Sequence, residues 1–173
     1  MKDEVKLVFN GVLFALSLIA FLVLSTVCLV KSIKFDQNCG GYLKQTADAN
    51  TPEIALERIT LALDYIEAHD LTTGYTSILY RTEDENVEFW YKNIKACKAE
   101  LENCLDGTQL EKSNVLMKVR ESLTDNDSNG TSLTIPTGIS RHPYNVLWAW
   151  IMWPLTTFLI ISTLIFFIKL EDY

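Results

Sequence analysis

Asp125, Asp127 and Asn129, followed at once by Gly130, set oxygen-bearing side chains at alternate positions before a turn glycine, the opening pattern of a calcium loop. A hard divalent cation suits such ligands. The position that should supply the closing bidentate Glu is Pro136, however, so the principal ligand is missing and the stretch reads equally as an Asp/Asn/Gly turn. The same segment carries two N-glycosylation sequons, at Asn126 and Asn129, which matter only where the loop enters a glycosylating lumen.

Cysteine is the second kind of residue with chemistry to offer. Cys97 and Cys104 lie seven residues apart on a segment of helical spacing, roughly 10 Å at about 1.5 Å per residue. A disulfide needs Cα atoms within about 7 Å, so these two cannot pair with each other there. In an oxidising compartment Cys39 can bridge to Cys97 or to Cys104, leaving one thiol; otherwise all three are small buried apolar side chains. No CxxC pair is present, and the two histidines, His69 and His142, are far apart in the chain, so neither zinc nor any cofactor is expected.

Glu83, Asp84, Glu85 and Glu88 form an acidic cluster at the expected start of a helix, where the helix dipole favours negative charge. A catalytic carboxylate pair would need a nucleophile or metal ligand beside it, and none is apparent, so no enzyme is expected. Phe89, Trp90 and Tyr91 follow. Consecutive helical residues point about 100° apart, so one of these rings should reach a surface where it can contact a partner.

Two long apolar runs frame these residues. Leu7 to Val30 is interrupted only by Asn10, Gly11, Ser17, Ser25, Thr26 and Cys28, and as a helix it can cover a hydrocarbon core of about 30 Å. The run is longer than a signal-peptide core, and no small-x-small cleavage site precedes Lys31 and Lys34, so a retained anchor is expected. The second run, within 144–168, opens with Tyr144, Trp148, Trp150 and Trp153, an aromatic belt suited to headgroup depth, with Phe166, Phe167 and Tyr173 toward the other interface. Two crossings place both ends of the chain on one side of the bilayer. Lysines and arginines flank the two sides almost equally, but long loops translocate largely regardless of charge, so cytoplasmic termini and an extracytoplasmic 31–143 are expected.

Between the runs, helical spacing dominates. Val87, Trp90, Ile94, Cys97, Leu101 and Cys104 recur at alternating intervals of three and four, one stripe of an α-helix. Thr51-Pro52-Glu53 supplies an N-cap, a proline at N1 and an acidic first turn ahead of Leu56, Ile59, Leu63 and Ile66, a helix ending near His69 and Asp70. Weaker patterns predict helices over 35–50 and 108–123, and β-branched and aromatic residues near 74–80 permit a short extended segment. From Thr124 to Pro143 the composition turns to Asp, Asn, Ser, Gly, Thr and Pro, a linker before the second run.

The sequence thus predicts an all-α membrane protein: tail 1–6, span 7–30, an up-and-down, four-helix-like domain 31–123, linker 124–143, span 144–168 and tail 169–173. Net charge of −7 from 15 basic and 22 acidic residues, without a basic stripe, argues against nucleic acid. The expected partners are the lipid bilayer and a protein, either another chain or a second copy, as for an accessory or scaffold subunit of a membrane complex. Two other readings keep the same layout: a ligand-sensing domain coupled to its spans, and a phage- or virus-type protein that oligomerises in the bilayer.

Overall fold

The computed structural model of the chain describes residues 2–79, 81–127 and 130–171. It is mostly helical and divides into two compact units, residues 1–30 with 146–173, and residues 31–145.

The first unit holds most of α1 (Lys2–Phe35) and α6 (Asn145–Glu171), two helices long and apolar enough to cross a membrane. Partial burial follows one stripe on each. On α1 it passes through Gly11, Phe14, Ser17, Phe21, Leu24 and Cys28, and on α6 through Ala149, Met152, Thr156, Leu159 and Thr163. Steps of three and four keep each stripe on one face, and its small residues let two backbones approach. The remaining surface presents Val8, Phe9, Leu16, Ile19, Leu22, Ile160, Ile161 and Leu164 outward. Hydroxyls turn inward on their own helix: Ser17 donates to Phe14 O at 2.8 Å, Thr26 to Leu22 O at 2.8 Å, and Thr163 to Leu159 O at 2.7 Å. Such back-bonding satisfies a polar group without water.

In the second unit the helix continues from α1 through a π turn (Asp36–Gly40) into α2 (Gly41–Ala47). The Gly41 N–H reaches Asp36 O, and a Cβ at Gly41 would lie 3.0 Å from that same oxygen. Glycine fits this tightened backbone without displacing anything. α3 (Pro52–Ala68) starts at Thr51, whose Oγ1 accepts from Ile54 N at 3.4 Å, with Pro52 at the first helical position. α4 (Val87–Asn103) is capped by Asn86, whose Oδ1 accepts from Phe89 N at 3.1 Å. α5 (Gln109–Leu123) begins in a capping box: Thr108 N donates to Glu111 Oε2 at 2.7 Å and Glu111 N to Thr108 Oγ1 at 3.4 Å.

Helices α2, α3, α4 and α5 close a ring of contacts, α2 on α3, α3 on α4, α4 on α5 and α5 on α2. Their shared core is built from Cys39, Leu43, Ile59, Ile66, Val87, Ile94, Leu101 and Val119. The α4 stripe predicted from spacing is the buried face, and on α2 Leu43 enters the core with Tyr42 at its rim. Arg120 Nε donates to Ala47 O at 2.8 Å, tying α5 to the end of α2.

Two expectations change. Residues 124–143 do not run as a linker. They form an antiparallel hairpin, β1 (Thr124–Asp127) with β2 (Gly130–Leu133), in the register Thr124 to Leu133 and Asp127 to Gly130. A 3-10 turn, Ile139–Arg141, follows. Thr134 N donates to Leu123 O at 2.9 Å, Leu133 and Ile135 pack on the core, and Ile139 is buried within it. Leu133, Ile135 and Ile139 thus bring this polar segment onto the domain core. The segment near 74–80 contributes only an isolated bridge between Tyr75 and Asn86, with Tyr80 outside the described residues.

Candidate functional site

The acidic cluster does not lie in the first turn of α4, as its composition suggested. Glu83–Glu85 form a separate 3-10 turn ahead of the Asn86 cap, and only Glu88 belongs to the helix start. The turn is held by Thr82 Oγ1 donating to Glu85 Oε2 at 2.7 Å and by Thr76 N donating to Glu85 O at 3.0 Å. Together with the first turns of α4 and with residues 132–137, it walls a groove of about 470 Å³. Four carboxylates, Glu83, Asp84, Glu85 and Asp125, line this groove beside Phe89, Trp90, Leu133, Ile135 and Pro136, and its lining holds no basic side chain among the described residues.

The aromatic run divides as helical geometry requires. Trp90 is buried at 6 % exposure, Phe89 projects at 67 %, and Tyr91 stands half-buried on another side. Tyr91 Oη donates to Glu67 Oε1 at 2.6 Å, and Lys95 lies 5.3 Å over its ring, so Tyr91 braces α4 against α3 instead of facing the groove. Trp90 Nε1 is buried with no hydrogen-bond partner among the described residues. An indole N–H in that position gains free energy from any acceptor brought to it.

The calcium pattern is taken up by the hairpin. Asp125 and Asp127 stand on β1, whose backbone is paired along β2, and Asn129 lies outside the described residues. A calcium loop must curl its backbone around the ion, which a paired strand does not do. Among the described residues, no group of three or more His, Cys, Asp or Glu side chains is placed to hold a metal ion. Of the sequons, Asn126 is on β1 and Asn129 is outside the described residues.

Cys39, Cys97 and Cys104 are buried and stand as free thiols. Their surroundings differ: Ser122 and Lys118 neighbour Cys97, while Lys112 and Glu53 neighbour Cys104. Burial pushes the pKa of both Cys97 and Cys104 up, against the opposing pull of Ser122 on Cys97 and Lys112 on Cys104. Neutral thiols of this kind pack as small hydrophobes and are poor nucleophiles.

Of the interface aromatics, Trp150 and Trp153 are exposed on α6 at 75 % and 66 %, and Trp148 is half-buried. Tyr144 lies in the second unit, with Lys31 Nζ 6.0 Å from its ring centroid. The side chains of Phe166 and Phe167, and all of Tyr173, are outside what is described.

Sequence spacing missed a second cavity, of about 370 Å³, lined by Lys31, Lys34, His69, Asp70, His142 and Tyr144 among others. His142 Nε2 lies 2.8 Å from Thr73 O and His69 Nδ1 lies 2.9 Å from Tyr65 O, so each imidazole is fixed by donating to a backbone carbonyl. Gly74 makes the first of these approaches possible: its φ is +95°, and a Cβ there would meet the His142 ring at 3.1 Å. His69 and His142 are remote in the chain yet line one cavity, which spacing alone cannot detect. Comparison of the chain with protein-family models, with curated proteins and with solved structures gave no match.

Proposed function

We propose that this chain is a non-enzymatic two-span membrane protein whose helical domain, residues 31–143, binds a protein partner as an accessory or scaffold subunit of a membrane complex. The bilayer assignment is carried by the outward face of α1 and α6, where large aliphatic side chains such as Val8, Leu16, Ile160 and Leu164 stay exposed along the helices. Contiguous apolar surface of that extent is costly in water and ordinary in lipid. The exposed Trp150 and Trp153, two and five residues beyond Trp148, suit headgroup depth. Cytoplasmic termini and an extracytoplasmic domain complete the reading.

The partner surface is the acidic groove at the start of α4. Exposed Phe89 offers a rigid apolar anchor beside Glu83, Asp84, Glu85 and Asp125. An aromatic anchor flanked by four carboxylates selects a segment that carries Lys or Arg next to an apolar residue. The test is a photo-crosslinking residue in place of Phe89 in native membranes, compared with one in place of exposed Leu110 on α5. Adducts specific to position 89, whose crosslinked peptide is basic and apolar, are expected. A clean monomer at both positions, or equal adducts from both, sinks the reading. Adducts to a second copy of this chain would identify self-association as its form.

A further inference from the structure

We infer that the loop after α3 inserts Ile78 and Leu79 into the acyl boundary of the bilayer, a third and non-spanning contact of the chain with lipid. The inference rests on the membrane reading proposed above, but on different residues from the partner groove. Its starting point is connectivity. Lys31 is the first residue of the domain after one apolar stretch and Asn145 its last before the other, and the Lys31 ammonium lies 6.0 Å from the Tyr144 ring centroid, so both connections leave from one corner. The end of α3 reaches the same corner, because His69, Asp70 and Leu71 share a cavity wall with Lys31, His142 and Tyr144. The loop is pinned there. His142 Nε2 lies 2.8 Å from Thr73 O, and a Cβ on Gly74 would meet the same ring at 3.1 Å. His142 is three residues from Asn145, about 10 Å at full extension, and the five residues from Gly74 to Leu79 reach at most about 18 Å. When α6 enters a bilayer at its first turns, headgroups and acyl boundary fall within that reach.

The loop is braced at its base and apolar at its tip. Thr76 N donates to Glu85 O at 3.0 Å, Val87 N to Gly74 O at 3.0 Å and Asn86 Nδ2 to Tyr75 Oη at 3.3 Å, which ties the two legs together. Beyond those ties Ile78 is 43 % exposed and Leu79 is 77 % exposed, more than Trp150 on α6. One exposed aliphatic side chain on a soluble domain is ordinary. Two in succession on a braced loop, at the end of the domain from which both apolar helices leave, have the form of an interfacial anchor. The flanking residues agree with that depth: the Arg81 guanidinium lies 5.2 Å from the Tyr75 ring centroid, a cation and an aromatic suited to headgroups while aliphatics reach deeper. Glu83, Asp84 and Glu85 follow directly on the 3-10 turn, three carboxylates against one guanidinium, so apolar insertion and not charge carries the contact.

The test places an environment-sensitive fluorescent amino acid at one position at a time in the full chain, held in phosphatidylcholine nanodiscs: Ile78, Leu79, Leu110 or Ile160. Nitroxide-labelled lipid and aqueous iodide are the two quenchers, and circular dichroism matching the parent chain shows that each probe leaves the helices intact. Leu110 is the control, 70 % exposed at the start of α5, which begins only after the seventeen residues of α4 have run about 25 Å from the loop. Emission at positions 78 and 79 should be blue-shifted relative to position 110 and lost to the nitroxide lipid, whereas position 110 should respond to iodide alone. Leu79→Asp should bring the probe at position 78 within reach of iodide, and Leu79→Phe should keep it in lipid. Iodide quenching at position 79 equal to that at 110, lipid quenching equal at both, or a probe at 78 indifferent to Leu79→Asp overturns the insertion. Shielding of position 79 from both quenchers would show that protein covers the loop and overturns the lipid assignment. Ile160 separates the two levels: no lipid quenching there defeats the membrane reading itself, whereas lipid quenching at 160 without any at 79 defeats only the loop contact.

Discussion

Isoleucine and leucine take different addresses in the two units. On α3 and α4 they mark the hidden stripe, with Ile59, Ile66, Ile94 and Leu101 buried while Glu57, Lys92, Lys98 and Glu102 stay at the surface. On α1 and α6 the shielded stripe mixes Gly11, Ser17, Ala149 and Thr163 with Phe14, Leu24 and Leu159, while Val8, Leu16, Ile160 and Leu164 face out. A water-facing helix buries its apolar residues because water drives them in. Lipid supplies no such drive, so on the bilayer reading proposed above large aliphatic side chains can stay on the outward face of α1 and α6.

The largest expected effect breaks the comparison directly. Ile66 is 0 % exposed and Ile160 is 63 % exposed, so the same truncation should have unequal consequences. Ile66→Ala removes buried methylenes and leaves a cavity, costing about 2–5 kcal/mol of domain stability. On the bilayer reading proposed above, Ile160→Ala on α6 should stay within about 0.5 kcal/mol, because its side chain then faces lipid before and after the domain unfolds. Urea unfolding of the full chain in lipid nanodiscs, followed by circular dichroism, reads both. Equal losses would mean that α6 packs within a protein core and that the two units share one solvent.

What the sequence disclosed follows the same divide. The helices of the domain were legible because Val87, Trp90, Ile94, Cys97 and Leu101 repeat at a helical interval and because Thr51-Pro52 is a local start signal, whereas the Thr108–Glu111 capping box went unread ahead of a weaker pattern. The hairpin was not legible, since Asp125, Asn126, Asp127 and Gly130 have the composition of a turn, and their order comes from the β1–β2 ladder and from Ile135 and Ile139 reaching the core. The surface ring was anticipated in kind but not in identity: 100° spacing says that one of three aromatics must emerge, and only packing against α3 selects Phe89 by holding Tyr91 to Glu67. The lysine–histidine cavity joins residues 31 to 144 and depends on contacts no local pattern encodes.

A pH titration sharpens the claim that the domain has a dry interior of its own. The folded chain holds the protons of Cys97 and Cys104 more tightly than the unfolded chain, because burial raises both thiols above their ordinary value of 9.0. Their contribution to stability is therefore complete at neutral pH and is lost as pH rises past that value. The urea midpoint should fall between about pH 8 and pH 10, and the fall should shrink in the Cys97→Ala variant, whose neutral-pH stability serves as its own reference. An unchanged slope in that variant would mean that the thiol titrates as if in water.

The smallest effect concerns α5, a helix of fifteen residues of which only Val119 and Leu123 are fully buried. A helix that gains little from packing depends more on its ends. Thr108 satisfies Glu111 N while the Glu111 carboxylate accepts from both Thr108 N and Thr108 Oγ1, and these bonds hold the Glu111 carboxyl below its ordinary pKa. Thr108→Ala should cost about 1 kcal/mol and loosen the first turn of α5. Amide exchange should then rise at residues 109–112 before it rises anywhere on α4. Acceleration spread evenly over both helices would instead show that α5 unfolds only with the whole domain, and that its cap contributes to the core as a unit.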